Sequence, residues 1–272
     1  MWRKSRLLIW GTTYPEFSKK YYETVCTGAI DADSGRLVRI YPITLRYLDE
    51  KFGLYNWIEA EVERNEEDFR PESHHIRQDT IQIMGRLDTK DHWKERSRWV
   101  LDDRNVFGSV EELVEAEAAH HTSLGLVKPK TVKRIFVERK PDSERQEWEE
   151  QRERALQQRE LFVDEEAKTN DLKYMPVKYR IEFECNHPAC SGHKMSILDW
   201  GVYVLSRRQY AQRGGGPQAE RDVIGKLAEL TDLATKDLYL FLGNTKRFPQ
   251  SFTVVGLYYP PINKQPSLPG LI

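Results

Sequence analysis

Short β-rich runs punctuated by turns fill the opening of the sequence, and this pattern limits the fold more than any other feature. Residues 7–10, 24–30, 37–41 and 57–62 form four such runs. Between the second and third, Asp31-Ala32-Asp33-Ser34-Gly35 has hairpin-turn chemistry, so antiparallel pairing follows. Ile76, Thr80, Ile81 and Ile83 extend the apolar content and place a fifth strand over 80–84. Five short strands with few helices suit a small barrel better than a doubly wound sheet. Helices are expected over 91–101 and from Ser109 to about residue 120, where Ser109-Val110-Glu111-Glu112 has capping-box spacing. A strand over 132–138 is then placed to close the barrel.

Strands return after residue 172. Residues 179–184 alternate as a strand with one apolar face, residues 202–212 read as a helix, and Pro217 opens an amphipathic helix whose stripe is Val223, Ile224, Leu227, Leu230 and Leu233. Two apolar strands, 238–242 and 252–259, flank a loop holding Asn244, Lys246, Arg247 and Phe248. The fold class expected is α+β and β-rich. It comprises an amino-terminal barrel module over 1–137, a charged helical linker over 138–171 and a carboxy-terminal module over 172–272.

The chain has 272 residues, with 42 Lys and Arg against 43 Asp and Glu. The net charge of −1 conceals an asymmetry. Residues 1–137 hold 22 basic and 23 acidic side chains, residues 138–166 hold 6 and 11, and residues 167–272 hold 14 and 9. The acidic segment spaces Arg145, Glu149, Arg152, Glu153 and Arg159 for same-face pairs on a solvated helix, which also offers a contact surface for a protein partner. No apolar run approaches the roughly 20 residues needed to span a bilayer. The run 7–10 behind Arg3, Lys4 and Arg6 is too short for a signal peptide. Three cysteines form no disulfide framework, so the expected compartment is a reducing cytoplasm.

The sharpest chemical feature is Cys185-Asn186-His187-Pro188-Ala189-Cys190-Ser191-Gly192-His193. Two thiols and an imidazole at this spacing can converge on one tetrahedral cation, and a structural zinc held by Cys185, Cys190 and His193 is the natural reading. Three ligands leave one position to fill. Candidates are His187, Asp199, Cys26 or a histidine of the first module; an open position would instead mark a catalytic metal. The adjacent pairs His74-His75 and His120-His121 point different ways and do not suit joint ligation.

Basic residues interleave with aromatics around Arg36, Arg39, Tyr41, Arg46 and Tyr47. Arg207, Arg208 and Arg213 crowd the break Gly214-Gly215-Gly216, and Lys246, Arg247 and Phe248 share the late loop. Guanidinium groups that meet phosphates beside rings that stack on bases are what single-stranded nucleic-acid binding requires.

The run Leu7-Leu8-Ile9-Trp10, the stretch Cys26-Thr27-Gly28-Ala29-Ile30-Asp31 and the segment from Gly35 to Ile43 resemble the dual OB-containing domain family of bacterial proteins. So do Cys190-Ser191-Gly192-His193 with Asp199-Trp200 after it, and Gly243-Asn244 with Phe252, Gly256 and Pro260-Pro261. The resemblance implies two OB-like barrels in one polypeptide. It also implies binding of single-stranded DNA or RNA, often in bacterial systems of conflict with phage or mobile elements. The family pattern has an acidic residue after the Asp-Trp pair, where this chain has Gly201, which weakens a catalytic carboxylate pair at Asp199.

Three functions are therefore carried forward. The first is a non-enzymatic single-stranded nucleic-acid-binding protein with a structural zinc. The second is a metal-dependent hydrolase or nuclease using the Cys/His loop and Asp199. The third is an interaction scaffold acting through the acidic helix.

Overall fold

The computed structural model describes residues 1–18, 22–44, 52–160 and 172–262. The protein is α+β and β-rich. Its first strands are β1 (Arg3–Thr12), β2 (Glu16–Ser18), β3 (Tyr22–Asp31), β4 (Leu37–Thr44), β5 (Asn56–Arg64), β6 (Ser73–Ile76) and β7 (Gln82–Arg86). Each of β1, β3, β4 and β5 buries its apolar residues, among them Leu7, Ile9, Val25, Ala29, Ile40, Ile58 and Ala60, in a common core. The ring of pairings runs β1-β3-β4-β6-β5 and returns to β1, every pair antiparallel except β4 with β6. This is a closed five-stranded Greek-key barrel of OB type.

The fifth barrel strand is β6, not the expected run over 80–84. That run is β7, an edge strand on β5 whose residues are all exposed. In β6 only Ser73 and Ile76 are buried, and the two histidines between them hide its strand character.

Helix α1 (Lys90–Val100), β8 (Val106–Phe107) and α2 (Val110–His120) lead into a second barrel. Its strands are β9 (Leu124–Val127) continuing into β10 (Pro129–Arg139), β11 (Val177–Cys185), β12 (His193–Ser196), β13 (Tyr239–Thr245) and β14 (Phe248–Tyr258). Antiparallel ladders join β10 to β11, β11 to β12, β13 to β14 and β9 to β13, and a parallel bridge from Ile197 to Val254 joins the end of β12 to β14. The order is again that of an OB barrel. The strand expected to close the first barrel, 132–138, is thus the first strand of the second: β10 pairs with β11 along its length.

Helix α3 (Asp142–Glu160) connects β10 to β11, so it is inserted within the second barrel rather than linking two modules. It lies back on the first barrel, where the Trp148 ring packs 5.3 Å from Phe17 and 5.7 Å from Tyr174. Of the expected linker 138–171, residues 161–171 lie outside the described residues. Helices α4 (Trp200–Arg213) and α5 (Gly216–Leu230) cross between β12 and β13. Asp199 caps α4 by accepting from the Val202 N–H at 3.0 Å, and Gly214 ends it at positive φ. No helix among the described residues is long and apolar enough to cross a membrane.

The barrels dock through a third apolar cluster in which Trp10 of β1 stacks on Phe241 of β13, ring centroids 4.0 Å apart and 5° from parallel. The Trp10 indole N–H donates to the Ala29 carbonyl at 3.0 Å. Its ring fills the place where any Cβ on Gly28 would stand, 2.1 Å from the nearest ring atom.

Candidate functional site

In an OB barrel the second and third strands form a face, and the loops after the first and fourth strands form its lips. Here the face is β3 and β4, and the lips are residues 13–16 and 65–72. All of these border one cavity of about 680 Å³, whose opposite wall comes from the second barrel. Cys26, Gly28, Arg39 and Tyr41 contribute from the first barrel's face, Tyr14, Glu67, Asp68 and Arg70 from its lips. From the other side come Lys140, Lys178, the stretch Ile197–Asp199, Tyr203 and the β13–β14 turn with Lys246 and Arg247.

Both lips are bonded to the second barrel. Tyr14 N–H donates to Leu198 O at 3.1 Å, and Thr13 forms a bridge with Asp199. On the other lip the Arg70 guanidinium, held by Asp68 at 2.7 Å, donates to Asn244 O at 3.0 Å, and Lys246 Nζ donates to Glu67 O at 2.7 Å.

Arg39 does not present a free guanidinium. It is only 8% exposed, and it donates to Asn244 O at 3.2 Å and to Ser123 O and Oγ, both at 2.9 Å. It clamps the barrels together. Tyr41 keeps 43% of its surface, with its hydroxyl 3.1 Å from that of Thr24. Arg247 lies 5.3 Å from the Phe248 ring, which is 58% exposed at the turn. The other expected contacts are dispersed. Arg36 is exposed in the β3–β4 turn, Arg207 lies over the Tyr203 ring at 5.7 Å, Arg208 is exposed on α4, and Arg213 pairs with Asp222 at 2.9 Å. Arg46 and Tyr47 lie outside the described residues.

Lys140 and Asp199 both line the cavity wall. Lys140 places its ammonium 5.8 Å from the Tyr14 ring and 5.2 Å from Tyr174, and burial lowers its pKa. Asp199 keeps some surface, but its carboxyl is enclosed, and burial pushes it up to about 6 against the N–H groups of Val202 and Gly201.

The Cys/His loop gathers a second constellation. Cys185 Sγ and Cys190 Sγ each lie 3.3 Å from His193 Nε2, Glu111 Oε2 lies 2.9 Å from Cys185 Sγ, and Glu111 Oε1 lies 3.4 Å from His193 Nε2. The four ligand atoms fall within 4.8 Å of one another, so the cluster could hold a metal ion. A tetrahedron with metal–ligand bonds of about 2.0–2.3 Å has edges of about 3.3–3.8 Å, close to these separations.

The fourth member is Glu111, which is none of the residues expected. Helix α2 supplies it: Ser109 Oγ accepts from the Glu112 N–H at 3.1 Å and Glu112 Oε2 accepts from the Gly108 N–H at 2.8 Å, which leaves Glu111 in the same turn facing the loop. Burial and the hydrogen bond to Glu111 push the Cys185 thiol up to about 12, and burial lowers the pKa of His193. A bound cation would replace the thiol protons and offset that cost. His187 turns to its own loop, accepting from the Ala189 N–H at 3.3 Å. Cys26 and Asp199 face the interbarrel cavity instead.

Residues 106–269 match the family model described as Domain of unknown function (DUF8757), which spans more than half of the chain. The chain belongs to this family. Residues 3–102 match a second model, Domain of unknown function (DUF8758). The DUF8757 match contains the second barrel and all four cluster residues, whereas the DUF8758 match contains the first barrel. No curated protein sequence matches the chain. Among solved structures it is similar to a chain of "Structure and Conformational Change of a Replication Protein A Heterotrimer Bound to ssDNA", with 11% identity and a TM-score of 0.26. The match covers 97% of this chain and 66% of that one.

Proposed function

We propose that the protein binds single-stranded nucleic acid in the cavity between its two barrels. The observation that carries this reading is the lining of the cavity. The ligand face and both lips of an OB barrel are joined there by Tyr14 and Tyr41 for stacking and by Lys140, Lys246 and Arg247 for phosphate. Cations beside the exposed Tyr41 ring and the half-buried Tyr14 ring suit a strand's alternation of phosphate and base. The four-residue cluster is read as a structural zinc site, because two thiols with an imidazole and a carboxylate match the donors zinc prefers. It ties α2 to the β11–β12 hairpin and so stiffens the second barrel.

Binding of labelled single-stranded DNA and RNA, measured at about 50 and 200 mM salt, tests the reading. Counterion release requires affinity to fall steeply across that range. Loss of one stacked base costs about 1–3 kcal/mol, so Tyr41→Ala weakens binding roughly 5- to 150-fold. Failure of both nucleic acids to bind at the lower salt would overturn the proposal.

A further inference from the structure

Resting on the proposed nucleic-acid reading, we infer that the interbarrel cavity takes a phosphorylated unit of one or two nucleotides, either free or as the end of a strand, and does not take the interior of a long strand. An OB groove that tracks a strand is open along its length and holds about 4–16 nucleotides. This one is roofed.

The lip at Thr13 and Tyr14 is joined to Leu198 and Asp199, and the lip at Glu67 and Arg70 is joined to Asn244 and Lys246. A continuous strand crossing β3 and β4 would have to break one set of these bonds. Arg39 adds three hydrogen bonds to the second barrel beneath them.

What remains is a chamber of about 680 Å³. That is within the range of pockets that take small molecules, about 300–1,000 Å³. The chamber also holds Lys140 and Asp199. Lys140, desolvated between the rings of Tyr14 and Tyr174, is placed for a phosphate. Asp199 has one carboxyl oxygen occupied by the Val202 N–H and a second that can accept from a base amino group. Terminal phosphate and base together would satisfy both walls.

The experiment is a length series on the full chain by isothermal titration calorimetry. It uses 5′-phosphorylated deoxyoligonucleotides and ribo-oligonucleotides of one, two, three, six and twelve residues, and a circularised twelve-residue strand of each kind. Affinity should reach its plateau by two or three residues, with six and twelve within about threefold of it, and the circles should not bind. Plateau binding by the free dinucleotide identifies a small-ligand pocket. A linear strand that binds when the free mono- and dinucleotides do not, with the circle still excluded, identifies an end-binding one. Affinity that climbs through six and twelve residues, or circles that bind like linear strands, would overturn this inference and leave the proposed function standing. Absence of binding by every member would overturn both.

Discussion

Replacing Arg39 with methionine tests whether this side chain serves the fold or the ligand. The guanidinium is buried and makes three hydrogen bonds across the barrel interface, to Asn244 O, Ser123 O and Ser123 Oγ. All three acceptors keep a second partner. Asn244 O still accepts from Arg70 at 3.0 Å, and Ser123 Oγ donates to Glu72 at 2.7 Å. Ser123 O still accepts from the Asn244 N–H at 3.2 Å, so no acceptor is left without a partner. Hydrogen bonds made by a charged group contribute about 1.5–3 kcal/mol each, partly offset because methionine no longer pays to desolvate a cation. The net expectation is a loss of about 3 kcal/mol. For a chain of this size that lowers Tm by roughly 6–12 °C, read by circular dichroism. Salt dependence of nucleic-acid binding, measured well below the transition, should be unchanged, because no phosphate contact is lost. A variant as stable as the parent whose salt slope falls by about one would refute the clamp and make Arg39 a phosphate contact.

Gly28→Ala drives a methyl group into the ring of Trp10, which is held between Ala29 O and Phe241, so urea unfolding should show a loss of at least about 1–3 kcal/mol. An unchanged midpoint would mean that the ring moves freely. Asp199 titrates near 3.8 when unfolded and about 6 when folded, so the folded state binds more protons between those values and stability falls as pH rises from about 4 to 6. Asp199→Asn keeps a helix-capping oxygen and removes that slope; unfolding should show the two proteins equal below about pH 4 and the variant favoured by at most about 3 kcal/mol above pH 6. Parallel pH curves would remove the enclosed carboxylate from the explanation. Elemental analysis should find about one zinc per chain, with less in Glu111→Ala, and a chelator should lower Tm. Equal zinc in parent and Glu111→Ala would leave the loop with three protein ligands.

Much of the first barrel was legible because β1, β3, β4 and β5 are dense in β-branched and apolar residues between clear turns. Strand β6 was not. Its sequence Ser-His-His-Ile carries two polar residues at its centre, and it is a strand because β4 and β5 leave a gap between them that only a short parallel segment fills. The linear charge asymmetry had a similar limit. The acidic segment 138–166 and strand β11 after it are neighbours in space, with Glu138 bonded to Arg180 at 2.5 Å and Glu144 to Lys178 at 2.6 Å. Two cations of the carboxy-terminal segment are therefore already paired with the acidic one. Such exposed pairs add little stability, but they remove these two cations from the supply available to phosphate.

The two candidate sites differ in what made them readable. Three cluster ligands lie within nine residues of one another, so their spacing alone declares them. Glu111 stands 74 residues before Cys185. An acidic residue in a first helical turn is already accounted for by the helix dipole and capping box, and nothing local marks it as a ligand. The cavity is harder still, because no single segment contains it. Arg39 and Tyr41 lie two apart on one strand and so share a face, yet the second barrel covers the first and leaves the second half open. Strand periodicity can say that two side chains face the same way; only the docking of the second barrel decides which becomes a clamp and which can meet a ligand. A site assembled this way depends on the barrel interface itself, so variants that loosen the Trp10–Phe241 stack should weaken ligand binding without touching any residue that contacts the ligand.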